Sequence, residues 1–170
     1  MKLHIFNPEH EIALAMNKDC FTPSHNVVKM RRELAFMPVL WADDGDMVLV
    51  EDIEYAYKAA DKLAPYIYKD VRFVGFNRMR SIIREKIQRR HFDLMPAPWG
   101  WDKTVLHLFK SLGWPAERLP SEEFIDQVGK SLTVVRQSSS SSMSLLTLLP
   151  SRLPPSTNFS SLLRSMARWC

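Results

Sequence analysis

Short apolar runs alternate with longer amphipathic stretches over residues 1–130, and this alternation constrains the fold more than any other feature. Apolar runs too short for a helix are typical of buried strands. We predict such strands at residues 2–6, 39–41, 47–50 and 71–76. Strands that are separated by helices pair in parallel, with the helices covering the sheet. We therefore expect an α/β fold with a small, open, mainly parallel sheet flanked by helices, Rossmann-like in class.

The helices of this pattern are predicted from stripes of apolar residues and from capping residues. The predicted helices span residues 9–16, 25–36, 52–66, 77–91, 103–112 and 121–128. Residues 95–102, MPAPWGWD, are predicted to form a turn, because two prolines and a glycine fall within eight residues. The segment ADDGD is also a turn by composition.

The composition changes near residue 131, which predicts an α/β domain at 1–130 and a Ser/Leu-rich tail at 131–170. The tail carries twelve serines and four arginines but no acidic residue. The net charge of +4 therefore comes entirely from the tail, since residues 1–130 hold 19 basic and 19 acidic side chains. Two interpretations stay open: a poorly ordered low-complexity extension, or an out-of-frame product of a longer gene. The overall charge indicates no partner for the domain.

No feature of the sequence indicates a membrane or an oxidising compartment. No apolar run reaches the roughly 18 residues of a membrane span, and polar residues after position 6 interrupt any signal peptide. Cys20 and Cys170 form no local disulfide or zinc motif. We expect a cytoplasmic protein without a membrane partner. Its oligomeric state cannot be read from the sequence.

The segment after the first predicted strand holds four candidate site residues. They are Asn7, Glu9, His10 and Glu11. Ligands of parallel sheets bind outside the carboxyl ends of the strands, where carboxylates and an imidazole can bind a cation, an amine or a phosphate-linked metal. The alternative is a corner in which Asn7 makes a turn and the acids complement a helix N-terminus. A zinc-protease helix is excluded, because Leu14 stands where its second histidine is needed, and we predict no metal ligands.

A second cluster, PWGWD, contains Trp99, Trp101 and Asp102. Two indoles around a glycine can form a stacking platform for a base or a sugar. The alternative is a packed turn in which Asp102 caps the next helix. The acidic turn at 43–46 lacks the later glutamate of a calcium loop, so we interpret it as a turn only.

The helix predicted at 77–91 is strongly basic, with six Lys or Arg residues against one acid between positions 78 and 90. Its candidate ligands for an anion or a nucleic acid are Arg80, Arg84, Arg89 and Arg90. The arginines fall on the face opposite its apolar stripe, without interleaved aromatic residues, so we do not expect nucleic acid as the partner. The chain contains no glycine-rich phosphate loop and no catalytic Ser or Cys motif. Catalytic residues therefore stay unknown.

The motifs KLHIFNPEHEIALA, LAFMPVLWADDGDMVLV and PWGWDKTV resemble the N-terminal part of a bacterial protein family related to ATP-grasp ligases. The resemblance covers residues 1–130 of a family whose members are about twice as long. It implies a pre-ATP-grasp-like domain that closes the substrate side of the cleft in a carboxylate–amine ligase. The family's Ser-His-Arg-Arg segment would follow near the point where this chain becomes Ser-rich, which supports the out-of-frame interpretation. The basic helix has no counterpart in the family pattern.

By this resemblance the seven residues of the two clusters would bind a small-molecule substrate. The nucleotide-binding part lies further on in such proteins, so we expect no cofactor in this chain, and ATP and Mg²⁺ only in the full-length relatives. The leading hypothesis is a truncated substrate-side domain that lacks activity alone. The alternative hypothesis is a non-enzymatic binding module that recognises an anionic ligand or nucleic acid through the basic helix.

Overall fold

The computed structural model describes residues 1–18, 21–63 and 70–138, with side chains as far as residue 130. Most of the predicted tail, residues 139–170, lies outside the described residues, as does the end of the helix predicted at 52–66. Strands and helices alternate in the described chain. The strands are β1 (Lys2–Ile5), β2 (Met47–Leu49), β3 (Arg72–Val74) and β4 (Met95–Pro98). The helices are α1 (His10–Met16), α2 (His25–Glu33), α3 (Ile53–Asp61), α4 (Phe76–Gln88), α5 (Lys103–Ser111) and α6 (Glu122–Ser138).

The four strands form one parallel sheet in the order β3-β2-β1-β4. Leu3 in β1 lies opposite Met47 in β2 and opposite Pro96 in β4. Helices join successive strands, as parallel pairing requires. The predicted fold class, a small open Rossmann-like α/β sheet flanked by helices, is confirmed.

The core lies between the sheet and the helices that follow β3 and β4. Leu3 is fully buried in β1, and Met79 of α4 and Phe109 of α5 are fully buried against the same cluster. These side chains recur at helical spacing on the inward faces, as the apolar stripes predicted. Ile87, also predicted to face inward, is exposed.

The strand predicted at 39–41 is wrong, since Met37–Leu40 forms a 3-10 helix. Pro38 occupies its first turn, where the fixed backbone angle of proline suits a helical start and its missing amide is not needed. The amide of Val39 donates to the carbonyl of Phe36, and the amide of Trp41 donates to that of Pro38. A short apolar run fits a buried helical turn as well as a strand.

The turn predicted at 95–102 is wrong in its first half, because Met95–Pro98 forms the strand β4 beside β1. The amides of Met95 and Trp99 donate to Met1 and Ile5. Because backbone amide positions alternate in direction along a strand, those of residues 96 and 98 point away from β1. Both positions hold proline, which has no amide hydrogen and is therefore confined to edge strands. β4 is such a strand, since it pairs with β1 alone among the described strands.

The last helix is longer than the segment predicted at 121–128, since α6 runs over 17 residues from Glu122 to Ser138. Gly129 of α6 lies against α1, where a Cβ atom would stand 3.1 Å from the carbonyl oxygen of Leu14. The small residue therefore lets the two helices approach closely. Among the helices that the structure describes, none has the length and apolar character needed to cross a membrane.

Candidate functional site

The candidate site lies where the chain changes direction across the sheet. After β1 the chain continues to β2 and β3 on one side, and it then returns to place β4 on the other side of β1. In open α/β sheets such a switch point leaves a crevice at the carboxyl ends of the two strands. The segments that leave β1 and β4 at this end are residues 6–9 and 99–102. They contain Asn7 and Glu9 of the first predicted cluster and all three candidate residues of the second, whereas His10 and Glu11 belong to α1.

Asn7 connects the two clusters directly. Its side-chain amide donates to the carbonyl of Gly100 at 2.8 Å, and its side-chain oxygen accepts from the amide of Gly100 at 3.2 Å. The same amide nitrogen donates to Oδ2 of Asp102 at 3.1 Å. Asn7 is buried. Its hydrogen bonds continue the contact between β1 and β4 beyond the end of their ladder.

Asp102 is a buried helix cap. Its Oδ1 accepts a hydrogen bond from the amide of Val105 at 2.9 Å, at the start of α5, so the predicted capping role is confirmed. Burial raises the pKa of Asp102 above its usual value, and the hydrogen bonds from Val105 and Asn7 offset only part of this effect. The negative charge of Glu9 raises the pKa of Asp102 further.

Glu9 is buried with its carboxylate only half satisfied. Oε1 accepts a hydrogen bond from Nη1 of Arg31 at 2.5 Å, which makes an ion pair between the start of α1 and α2. Oε2 is buried and has no hydrogen-bond partner among the described residues. An unpartnered buried carboxylate oxygen costs free energy, so this atom marks a position where a donor from outside the chain would be stabilised.

A cavity of about 240 Å³ opens at this point, with Asn7, Glu9 and Asp102 in its wall. Arg31, Arg32, Glu51 and Thr104 are its other polar lining residues. The rest of the wall is apolar and comes from β1, β2, α1, α4, α5 and the segments that follow β1, β2, α1 and α2. These residues are Ile5, Phe6, Ala13, Phe21, Ala35, Leu49, Val50, Phe76, Val105 and Leu108. The cavity thus combines several polar and charged side chains with a mostly apolar wall, which is the usual composition of a small-molecule site.

His10 and Glu11 do not join Glu9 in the lining of the cavity. The ring of His10 lies over the backbone of Gly100, where an added Cβ atom would stand 2.0 Å from the ring carbon Cδ2. Nδ1 of His10 is buried without a hydrogen-bond partner among the described residues. Glu11 is exposed to solvent on α1. Of the three consecutive candidates, Glu9 alone lines the cavity.

Trp99 and Trp101 do not form one stacking platform. The ring of Trp101 packs on Phe109 of the core, with ring centroids 5.4 Å apart. Trp99 is half exposed and contacts Phe6 at 5.8 Å and Trp41 at 5.1 Å between centroids. The exposed indole beside Trp99 is therefore Trp41, which was not among the residues predicted from the sequence.

The predicted anion-binding arginines lie on α4 and outside the cavity. Arg80 and Arg84 are exposed and line a shallow groove of about 420 Å³ beside the last residues of α5. Arg89 pairs with Glu85 at 2.6 Å. Arg90 follows the end of α4 with a left-handed backbone, at a φ of 52°. The four candidates therefore do not converge on one point.

Sequence reasoning missed Arg31, Phe21 and Thr104 at the site. Arg31 lies 22 residues from Glu9, and no spacing rule connects the two. The one available signal was that an arginine lies on a helix with an apolar stripe. In the described parts of the chain, no group of three or more His, Cys, Asp or Glu side chains is arranged to hold a metal ion.

Comparison with known proteins adds no relative to this description. No known protein family, curated protein or solved structure matches the chain. The fold and the geometry of the cavity are therefore the observations on which a function can be proposed.

Proposed function

We propose that this domain binds a small molecule through a protonated amine at Glu9, as the substrate-side domain of an ATP-grasp-like carboxylate–amine ligase. The observation that carries the proposal is the buried, unpartnered Oε2 of Glu9, a residue that lines the cavity at the switch point of the sheet. On this proposal the domain has no ligase activity alone. ATP and Mg²⁺ would be bound by another part of the full-length relatives.

An ammonium group suits this position on chemical grounds. It supplies three donors and a positive charge, and a charge-assisted hydrogen bond to a carboxylate is about twice as strong as a neutral one. Arg31 already holds the other oxygen of Glu9, so the carboxylate is fixed in one orientation before a ligand arrives. The preorganised acceptor reduces the entropy that binding would otherwise lose.

The volume of the cavity and its mostly apolar wall favour a small molecule with an apolar body. A volume of about 240 Å³ accommodates a compound smaller than most drugs. A carboxylate–amine ligase has one substrate of this kind, the amine, which would bind as the ammonium ion and lose one proton to water before its nitrogen attacks the activated acid. The resemblance of residues 1–130 to the N-terminal part of such ligases supports the same assignment.

Calorimetry with a series of small alkylamines tests the proposal. We expect the native chain to bind butylamine and the Glu9→Gln variant to bind it at least tenfold more weakly, because the amide has no charge. Glu11→Gln is the matched control, since Glu11 is exposed two residues away and does not line the cavity. Equal binding by the native chain and Glu9→Gln, or no binding by either, would contradict the proposal. ATP turnover by the chain alone would contradict the substrate-side role.

A second candidate function is recognition of an anion by Arg80 and Arg84. The two arginines are one helical turn apart on α4, both are exposed, and both line the shallow groove beside α5. Binding of pyrophosphate that weakens with added salt and is lost in Arg80→Ala/Arg84→Ala would support it. Arg89→Ala is the control, because Arg89 pairs with Glu85 instead. A flat titration would remove this candidate.

A further inference from the structure

Three aromatic side chains lie in contact at the carboxyl end of the sheet. Phe6 follows β1, Trp99 follows β4, and Trp41 follows the 3-10 helix at 37–40. The ring centroids are 5.8 Å apart between Phe6 and Trp99 and 5.1 Å apart between Trp99 and Trp41. We name these three residues the aromatic corner. Trp99 is 49% exposed and Trp41 is 37% exposed, so much of both indoles faces solvent.

The aromatic corner is continuous with the cavity, because Phe6 belongs to both. Asn7, the next residue, also lines the cavity, and so does Glu9. A ligand whose amine contacts Glu9 and whose body leaves the cavity past Phe6 would therefore meet the indoles next. Indoles offer large, rigid faces on which a planar ring can stack at little conformational cost.

We propose that the aromatic corner is a stacking subsite for a planar aromatic or heteroaromatic part of the amine ligand. The inference rests on the proposed function, because Glu9 fixes the other end of that ligand. It narrows the substrate from a small amine to an arylalkyl amine. The tilt of 57° between the two indoles leaves them as two walls and not one flat surface, which favours a single ring over an extended one.

Matched pairs of amines separate stacking from simple apolar contact. We choose 2-phenylethylamine and 4-phenylbutylamine, each beside its cyclohexyl counterpart of the same charge and tether, and measure Kd by calorimetry on the full chain. Ring stacking typically strengthens association by about two- to tenfold beyond area burial. We expect the phenyl compound of at least one pair to bind about three- to tenfold more tightly than its cyclohexyl counterpart.

The same measurements on variants assign the preference to the aromatic corner. Trp99→Ala and, separately, Trp41→Ala should remove the phenyl preference and leave butylamine binding within about twofold of native. Phe124→Ala is the control, since Phe124 is an equally exposed aromatic residue on α6 that does not line the cavity. Two exposed positions are tested so that a folding defect in one variant does not decide the outcome.

The outcomes distinguish this inference from the proposed function. If butylamine binding depends on Glu9 but neither pair shows a phenyl preference, the stacking subsite is wrong and the amine site stands. If the preference survives in both tryptophan variants, the ring binds elsewhere and the inference is equally wrong. If no amine binds in a Glu9-dependent way, the proposed function fails and the subsite fails with it.

Discussion

The two ends of the sheet each bury a carboxylate beside a basic side chain, but they differ in how completely its oxygens are satisfied. At the amino end, Oδ2 of Asp46 contacts Nε2 of His4 at 3.0 Å and accepts from the amide of Asp43 at 3.1 Å. Its Oδ1 accepts from the amide of Lys2 at 2.7 Å. At the carboxyl end, Glu9 has Arg31 on one oxygen and no described partner on the other.

The difference shows that a buried acid with a basic neighbour is not by itself a mark of function. Asp46 is as buried as the residues of the candidate site, yet both its oxygens bond to its own chain and it ties β1 to the turn before β2. A carboxylate whose two oxygens both accept hydrogen bonds from its own chain has little remaining capacity to accept one from a ligand. A carboxylate with a free oxygen beside a cavity costs stability in the absence of a ligand and gains a donor in its presence.

Removing the carboxylate at the amino end has the largest expected effect. Asp46→Ala leaves two backbone amides and the His4 ring without their acceptor, so we expect a loss of about 3 kcal/mol in the free energy of unfolding. Urea denaturation measures it. Asp43→Ala is the control, because the Asp43 side chain makes an exposed ion pair with Lys2, which is worth little. A loss below that of the control would show that the network at Asp46 contributes nothing.

A methyl group at Gly100 has the next largest effect, at the carboxyl end. A Cβ atom there overlaps the His10 ring, so we expect Gly100→Ala to lower stability by about 2 kcal/mol. The double variant Gly100→Ala/His10→Ala removes the clash and should recover part of this loss. The two substitutions would then be non-additive in denaturation. Additive effects would mean that the ring of His10 does not pack on Gly100.

The pH dependence of stability should have opposite signs at Asp46 and at the capping residue Asp102. Burial opposes ionisation of Asp46, but hydrogen bonds from His4 and from the amides of Lys2 and Asp43 outweigh it and lower the pKa of Asp46. Its contribution is therefore present above about pH 4, the unfolded value, and is lost as the pH falls through the lowered pKa. The raised pKa of Asp102 makes the folded state bind the proton more readily, so stability declines as the pH rises from about 4 through that pKa.

Unfolding experiments between pH 3 and pH 7 separate the two contributions. Asp46→Asn should flatten the acid loss of stability, and Asp102→Asn should flatten the decline on the neutral side, because neither amide titrates. The two variants should therefore change the slope of stability against pH in opposite directions. The same pH profile in both variants would contradict the opposite signs.

Neutralising Glu9 has the smallest expected effect on folding. Glu9→Gln loses the charge that attracts Arg31 but also relieves an unpartnered buried carboxylate oxygen, so we expect a change within about 1 kcal/mol in the free energy of unfolding. Chemical denaturation of the ligand-free chain measures it. A loss as large as that of Asp46→Ala would mean that Glu9 is a structural residue like Asp46, and it would remove the contrast between the two ends.

Much of the fold could be predicted from local sequence patterns, and the errors of that prediction have local causes. The apolar runs at β1, β2 and β3 and the helical stripes gave the parallel α/β class, because burial on both faces of a sheet requires such runs. Pro38 changed a predicted strand into a 3-10 helix. Pro96 and Pro98 led to the prediction of a turn in place of β4. An edge strand forms hydrogen bonds through alternate residues, so it can lack half of its amide donors.

The candidate site was partly predictable for a topological reason. Asn7 and Glu9 follow β1 and Asp102 follows β4, and the rule that parallel strands present their carboxyl ends at one edge brought both clusters under consideration. The rule does not say which side chains turn into the crevice, so His10, Glu11 and Trp101 were selected with the others. Arg31 and Trp41 reach the site only through tertiary packing over long separations, which spacing does not encode.

The two prolines of β4 also determine how the sheet can be extended. With Pro96 and Pro98 at its outward positions, the described edge of β4 offers carbonyl acceptors but no amide donor to an incoming strand. A strand from another molecule could therefore form only half of its ladder there, which protects this edge from the strand-by-strand association that leads to aggregates. The other edge of the described sheet is β3, whose three residues, Arg72, Phe73 and Val74, all carry backbone amides.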